Sequence, residues 1–149
     1  MSSSLAIRSL QRASLKSTKC ARALAFRKLH STALRAEQYA DASLETYDKV
    51  VNTKDRIVLV DFYAEWCGPC HQLSPILKDI ATDTSVKSKS GLPIDVVKIN
   101  TENQELIPLA QKFSIRALPT VIAFRDGEPI DQFVGALNAA GVKEFLQRL

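Results

Sequence analysis

Cysteines and long apolar runs are scarce in this chain, and each scarcity excludes a class of protein. Three cysteines in 149 residues are too few for the disulfide framework of a small secreted domain. The strongest apolar runs lie around residues 57–60 and 121–124, so none approaches the roughly 18 residues of a membrane-spanning helix. The length instead predicts one soluble globular domain with a substantial core.

Acidic residues are absent from the first 36 positions, which contain eight Lys or Arg residues and seven serines. The first acid is Glu37. Because this segment carries +8 and the whole chain +4, residues 37–149 carry −4. The basic character is confined to one end, so nucleic-acid binding by the folded domain loses its main support.

Residues 1–36 have the composition of a targeting segment. Arg-rich, Ser-rich and acid-free sequence is typical of a mitochondrial transit peptide, whereas a secretory signal needs an apolar core of about 7 to 15 residues. The run Arg27–Thr32 resembles a two-step mitochondrial cleavage pattern, which would start the mature chain at Glu37. We therefore predict a cleaved mitochondrial transit peptide over residues 1–36 and a location in the matrix. The alternative is a disordered basic arm or a nucleic-acid-binding tail.

Hydrophobic periodicity over residues 37–149 predicts alternating helices and strands. Strands are predicted at residues 57–63, 94–99, 120–124 and around 130–134, and helices at 44–51, 67–83, 106–110 and after Asn138. Asp126 and Gly127 mark a hairpin between the last two strands. Because a strand, helix, strand unit normally forms a parallel crossover, the order predicts an α/β fold with a central mixed sheet and helices on both faces.

The motif Trp66-Cys67-Gly68-Pro69-Cys70 stands directly after a buried strand and at the start of a helix. The N-terminus of a helix lowers the pKa of a thiol, and the thiolate is the nucleophile of disulfide exchange. One helical turn apart, the two cysteines have Cα atoms about 5 Å from each other, within disulfide range. We predict that Cys67 attacks a partner disulfide and that Cys70 resolves the mixed disulfide. Gly68 and Pro69 permit the tight turn.

Asp61 interrupts the most apolar strand of the chain. A buried carboxylate costs several kcal/mol unless it is paired, neutralised or useful. The strand can carry Asp61 beneath the start of the helix, where a raised pKa would let it accept the proton of Cys70. Lys98 is expected nearby, where it would tune the charge. The alternative is a structural Asp61 whose oxygens accept backbone N–H groups.

The stretch Val60–Cys70, followed by Pro75, resembles the active-site signature of the thioredoxin family. Further similar segments occur in the family's order at Val97–Asn100, Arg116–Thr120, Asp126–Gly127 and Phe133–Ala136. The resemblance covers nearly all of residues 38–149 and implies a thioredoxin fold. Together with the amino-terminal segment, it indicates a mitochondrial member of the family.

The resemblance also implies roles for residues outside the cysteine motif. A cis peptide before Pro119 would place the Leu118 backbone beside the disulfide, where it can pair with an extended substrate. The implied contact surface around the nucleophile consists of Trp66, Pro69, Leu118 and Gly135. Alternatively, Trp66 lies in the core and Gly135 forms a bulge. The chain departs from the family pattern at Tyr63, where Trp often occurs, and at His71, where Lys or Arg is common.

The family further implies a protein-disulfide reductase that binds no cofactor and no metal. Its electrons would come indirectly from NADPH through a flavoprotein thioredoxin reductase, and its substrates would be disulfide-containing proteins such as peroxiredoxins. Pro69 indicates a reductant with a potential of roughly −270 mV. We expect a monomer with no nucleic-acid or membrane partner. The alternatives are a metal-binding Cys-X-X-Cys module and a noncatalytic binding partner that uses the fold as a scaffold.

Overall fold

The computed structural model describes residues 36–149, so the predicted transit peptide, except for Ala36, and Cys20 lie outside the described residues. Nine elements follow one another: β1 (Gln38–Tyr39), α1 (Leu44–Val51), β2 (Ile57–Tyr63), α2 (Gly68–Thr82), β3 (Ile94–Asn100), α3 (Ile107–Lys112), β4 (Thr120–Arg125), β5 (Glu128–Val134) and α4 (Ala139–Leu146). Within this range, no helix combines the length and the apolar character needed to cross a membrane.

The central strand, β2, belongs to a five-stranded sheet with the order β1-β3-β2-β4-β5. It runs parallel to β3 and antiparallel to β4, while β1 is parallel to β3 and β5 is antiparallel to β4. All seven residues of β2 are buried, because this nearly continuous apolar strand is covered on both faces. The predicted mixed sheet is confirmed.

Alternate side chains of β2 enter two hydrophobic cores on opposite faces of the sheet. Ile57 and Leu59 pack with residues of α2 and α4. Val58 and Val60 pack with residues of α1 and α3. The helices therefore cover both faces, as predicted. By the same alternation, Asp61 faces the side of α2 and α4.

Short-range signals in the sequence fix several boundaries of these elements. The side chains of Ser43 and Asn138 each accept a backbone N–H in the first turn of α1 and α4. Asp126 and Gly127, between β4 and β5, have φ values of 53° and 92°, which a tight hairpin turn requires. These two helix starts and the hairpin were predictable because each depends on residues close together in the chain.

The sequence prediction missed β1, which pairs with Val96 and Val97 of β3. A strand of two residues is too short to show an alternating pattern. Immediately before it, the Glu37 N–H donates a hydrogen bond of 3.0 Å to the Asp95 carboxylate. The first described strand is therefore attached to the sheet by contacts between residues distant in the chain.

Candidate active site

Cys67 is the N-cap residue of α2, and its Sγ accepts the N–H of Cys70 at 3.2 Å. A sulfur in this position faces the unpaired amides and the positive end of the helix dipole, both of which favour a thiolate. A disulfide joins Cys67 to Cys70, with the two Cα atoms 5.3 Å apart. The helix start therefore holds the two sulfurs close enough to form and break one bond.

The cysteine pair is enclosed on its inner side and open at the turn between the two cysteines. Cys67 is only 3% exposed, and both cysteines pack against Tyr63, Ala64 and Leu118. Gly68 and Pro69, the first two residues of α2, are exposed. A substrate can therefore approach Cys67 across the Gly68–Pro69 turn but not through the sheet.

Asp61 is completely buried, and neither of its carboxylate oxygens has a hydrogen-bond partner in the described part of the chain. Burial raises its pKa to about 7, although the charge of Lys98 acts in the opposite direction. The structural alternative, an Asp61 satisfied by backbone donors, does not fit these unpartnered oxygens. The carboxyl group can therefore hold or release a proton near neutral pH.

Lys98 lies in β3 in the register position next to Asp61. Its ammonium nitrogen is 4.1 Å from the centre of the Tyr63 ring. Among residues 36–149, Lys98 forms no salt bridge within 4.0 Å, so its charge acts on Asp61 without direct pairing. The sequence correctly predicted that Lys98 lies near Asp61.

The loop before β4 lies against the cysteine pair. The peptide between Leu118 and Pro119 is cis, as the family resemblance implied. Leu118 packs against the cysteine cluster, and Trp66 is 73% exposed rather than part of the core. An open groove contains both Trp66 and Leu118. An exposed apolar surface therefore lies beside the disulfide.

Gly135 follows the last residue of β5 and is hydrogen-bonded to the loop before β4. Its N–H donates to the Pro119 carbonyl at 2.8 Å. Its φ of +92° is strained for any residue with a side chain, and a Cβ placed there would enter open space. The space in front of Gly135 is thus free for the main chain of a partner.

We expect Gly135→Ala to weaken substrate binding more than its loss of stability explains. The new methyl group would project into the space of the partner chain, and the KM for a protein disulfide should rise about fivefold, equivalent to roughly 1 kcal/mol. The left-handed backbone should itself cost about 1 kcal/mol of unfolding free energy. Steady-state kinetics and urea denaturation measure the two effects separately.

Gly91→Ala is the matched control for that variant. Gly91 also has a positive φ, of 75°, and open space at its Cβ, but it lies in the loop before β3. It should lose similar stability with an unchanged KM. Equal KM values for the two variants would contradict a role for Gly135 in substrate contact.

His71 connects the first turn of α2 to the preceding loop. Its Nε2 lies 2.9 Å from the Glu65 carbonyl oxygen, and because a carbonyl only accepts, this nitrogen carries the donated hydrogen. His71 is exposed, as predicted. This hydrogen bond ties the helix to the loop that carries Trp66.

Two features near the site were not found by sequence reasoning. The first is the hydrogen bond from the Tyr63 hydroxyl to the Asp41 carboxylate, which joins residues 22 positions apart. The second is a groove beyond the Leu118 loop that contains Gln132 and Val134. Val134 is exposed in the structure, which its apolar side chain did not predict.

The metal-binding alternative finds no support in the part of the chain that the structure covers. No group of three or more His, Cys, Asp or Glu side chains there is arranged to hold a metal ion. Two cysteines supply only half of a tetrahedral zinc site.

Comparisons with known proteins identify relatives over the same region. A family model described as Thioredoxin matches residues 38–148. The chain is 44% identical over 130 residues to thioredoxin Y1, chloroplastic, of Arabidopsis thaliana, covering 85% of this chain and 69% of the relative. It is 42% identical over 97 residues to thioredoxin Y, chloroplastic, of Oryza sativa subsp. japonica, covering 65% and 53%. The chain thus spans about half to two thirds of the length of these relatives.

Solved structures show the same fold. A mutant thioredoxin from Halobacterium salinarum superimposes with a TM-score of 0.62 at 31% identity, covering 74% of this chain and 88% of that one. Fasciola hepatica thioredoxin gives a TM-score of 0.58 at 31% identity, covering 72% and 94%. The predicted fold class is therefore confirmed.

The mitochondrial location predicted from residues 1–36 is wrong. Three curated relatives, two of Arabidopsis thaliana and one of rice, are named as chloroplastic, and this finding points away from the mitochondrion. The error has a physical reason, because Arg-rich, Ser-rich and acid-poor composition is common to mitochondrial and chloroplast transit peptides. The mitochondrial subtype of the family has no support either.

Proposed function

The chain belongs to the thioredoxin family, and from this premise we propose that it reduces protein disulfides with Cys67 as nucleophile and Cys70 as resolving thiol. Family membership and the close cysteine pair support protein-disulfide reductase activity, so the chain is a dithiol–disulfide oxidoreductase. The observation that carries the proposal is the Cys67–Cys70 disulfide at the amino-terminal end of α2.

The reaction begins with the reduced pair. The Cys67 thiolate attacks one sulfur of the substrate disulfide, which breaks that bond and forms a mixed disulfide between Cys67 and the substrate. The other substrate sulfur leaves as a thiolate and takes up a proton. The helix N-terminus favours the attacking thiolate, and the groove beside Trp66 and Leu118 offers an apolar surface for the substrate.

Cys70 then resolves the intermediate. Its thiol loses a proton and attacks the Sγ of Cys67, which releases the second substrate thiol and forms the Cys67–Cys70 disulfide. The substrate gains two electrons and two protons, and the cysteine pair loses them. Asp61 is the proposed proton acceptor, because its pKa of about 7 matches the task. It forms no direct hydrogen bond to a cysteine within residues 36–149, and we propose that water relays the proton.

Re-reduction requires two electrons from outside the chain. The proposed donor is NADPH acting through a flavoprotein thioredoxin reductase, and the proposed substrates are disulfide-containing proteins such as peroxiredoxins. Attack by a reductase thiolate on the Cys67–Cys70 disulfide is the reverse of the resolution step, so the same surface serves donor and acceptor.

Insulin-disulfide reduction tests this function directly. The protein, supplied with NADPH and a thioredoxin reductase, should precipitate the insulin B chain and consume NADPH in step. The absence of turnover with several reductases, while dithiothreitol still reduces the Cys67–Cys70 bond, would contradict the proposed activity and favour a noncatalytic binding role.

Residues 1–36 are proposed to direct the domain at residues 37–149 to the chloroplast. Support comes from their acid-free, Arg- and Ser-rich composition and from the relatives named as chloroplastic. A fluorescent protein fused behind residues 1–36 should enter isolated chloroplasts and become resistant to added protease. A fusion to residues 37–149 alone should stay outside. Exclusion of the first fusion from chloroplasts, or its import only into mitochondria, would contradict this proposal.

A further inference from the structure

Tyr63, the last residue of β2, contacts charged groups on two sides. Its hydroxyl donates a hydrogen bond to the carboxylate of Asp41. The face of its ring lies 4.1 Å from the Lys98 ammonium nitrogen, within the range of a cation–π interaction. Tyr63 is itself buried. The ring therefore separates an exposed carboxylate from the ammonium group that lies next to the active-site acid.

Asp41 is held in place by the backbone around it. The N–H of Ala42 donates to the Lys98 carbonyl at 3.0 Å, which ties the turn after β1 to the same residue that contacts the Tyr63 ring. Asp41 has a φ of 50°, a left-handed conformation that Asp tolerates better than most residues. Its carboxylate therefore forms a fixed anchor for the Tyr63 hydroxyl.

The position of the Lys98 ammonium matters because of Asp61. Asp61 and Lys98 are register partners, yet they form no ion pair within 4.0 Å in the described part of the chain. The ammonium group faces the Tyr63 ring instead, and its charge still favours ionised Asp61. Burial raises the pKa of the Tyr63 hydroxyl, and the negative charges of Asp41 and Glu65, besides that of Asp61, raise it further. A small movement of Lys98 would thus change how readily Asp61 ionises, because this buried carboxyl group receives no hydrogen bond from residues 36–149.

We propose that Tyr63, anchored by Asp41, is a positioning residue that fixes the Lys98 ammonium and thereby sets the electrostatic field at Asp61. This inference rests on the proposed function in one respect, namely that Asp61 accepts a proton in the resolution step. The contacts themselves concern the oxidised protein and require no turnover. Tyr63 thus acts on the reaction through Lys98 and Asp61, in addition to packing against the cysteine pair.

A carboxyl titration by ¹³C NMR on the oxidised protein tests the proposal. Tyr63→Leu removes the ring face, so the ammonium group should move into solvent and the titration midpoint of Asp61 should rise by about 0.5 to 1 pH unit. Lys98→Met should also raise the titration midpoint of Asp61. In the double variant, the Tyr63 change should add nothing to the Lys98 change. Tyr63→Trp, which restores a ring face, should recover most of the shift.

Two outcomes would overturn the proposal. One is a fall of the Asp61 midpoint in Tyr63→Leu, and the other is an equal rise when the same change is made in the Lys98→Met background. Lys112→Met is the matched control for a lost cation–π contact, because Lys112 lies 5.3 Å from the Phe113 ring. It should leave the Asp61 midpoint unchanged.

A measurement on the unaltered protein keeps the proposal testable if Tyr63→Leu does not fold. The Lys98 side-chain protons should show an upfield ring-current shift relative to those of the exposed Lys49. Unshifted protons would contradict the contact. Insulin reduction separates this proposal from the proposed function, because an inactive protein with the expected Asp61 titration refutes only the function.

Discussion

Cys67→Ser should abolish insulin-disulfide reduction, and Cys70→Ser should abolish it while trapping the protein on its substrate. Serine has no sulfur with which to form a disulfide, and its hydroxyl is a poor nucleophile near neutral pH, so the first variant cannot form the mixed disulfide at position 67. The second forms it but has no thiol to resolve it. We expect turnover to fall at least about a thousandfold in both variants.

A non-reducing gel and mass spectrometry distinguish the two variants. Only Cys70→Ser should carry a covalent adduct, and dithiothreitol should release it. Cys20→Ser is the control, because Cys20 lies outside the motif and its replacement should leave turnover unchanged. An adduct on Cys67→Ser instead would reverse the assignment of nucleophile and resolving thiol.

Asp61→Asn should stabilise the oxidised protein at high pH. It should also slow the resolution of the mixed disulfide. The pKa of Asp61 is about 7 in the folded protein against an ordinary value of 3.8, so folding favours the protonated form. The stability that this group contributes is fully present below about pH 3.8 and is lost as pH rises through about 7. At pH 8 the variant should therefore be more stable by up to about 4 kcal/mol, with little difference at pH 4.

Urea denaturation at pH 4, 6 and 8 measures this difference. Asp95→Asn is the matched control, because Asp95 is also buried but forms an ion pair with Arg56. Its replacement should destabilise the protein at pH 8, since it leaves the Arg56 charge unpaired. A pH-independent effect of Asp61→Asn would contradict the raised pKa.

The kinetic consequence of Asp61→Asn concerns the resolution step. Without a base, decay of the mixed disulfide at pH 8 should slow by about ten- to a hundredfold. In the unaltered protein this rate should fall as pH drops through about 7, because Asp61 becomes protonated. Stopped-flow measurements should show that limb of the pH profile disappear in the variant. An identical limb in both proteins would assign it to another group.

Much of the fold was predictable because its signals are local. The β2 strand was predicted with the boundaries that the structure has, since its seven residues are almost all apolar or β-branched. The α1 and α4 starts followed from Ser43 and Asn138, which satisfy free N–H groups in the next turn. The organelle was predicted wrongly, because composition alone does not separate two kinds of transit peptide.

The cysteine spacing could be read directly from the chain. Two thiols one helical turn apart at the end of a buried strand can form a disulfide wherever that strand lies in a sheet. The buried acid was visible for the same reason, because Asp61 stands out in an apolar run. These features depend on neighbours within about ten residues.

The surroundings of the pair depend on folding. Three contacts there join residues that are 16 to 35 positions apart in sequence. They are the contacts of Tyr63 with Asp41 and with Lys98, and the hydrogen bond from Gly135 to the Pro119 carbonyl. No pattern of hydrophobicity encodes such pairs, because they arise only when the sheet order brings β1, β3 and β5 to their places. Local chemistry fixed the reacting sulfurs, and strand packing fixed the charges and the surface around them.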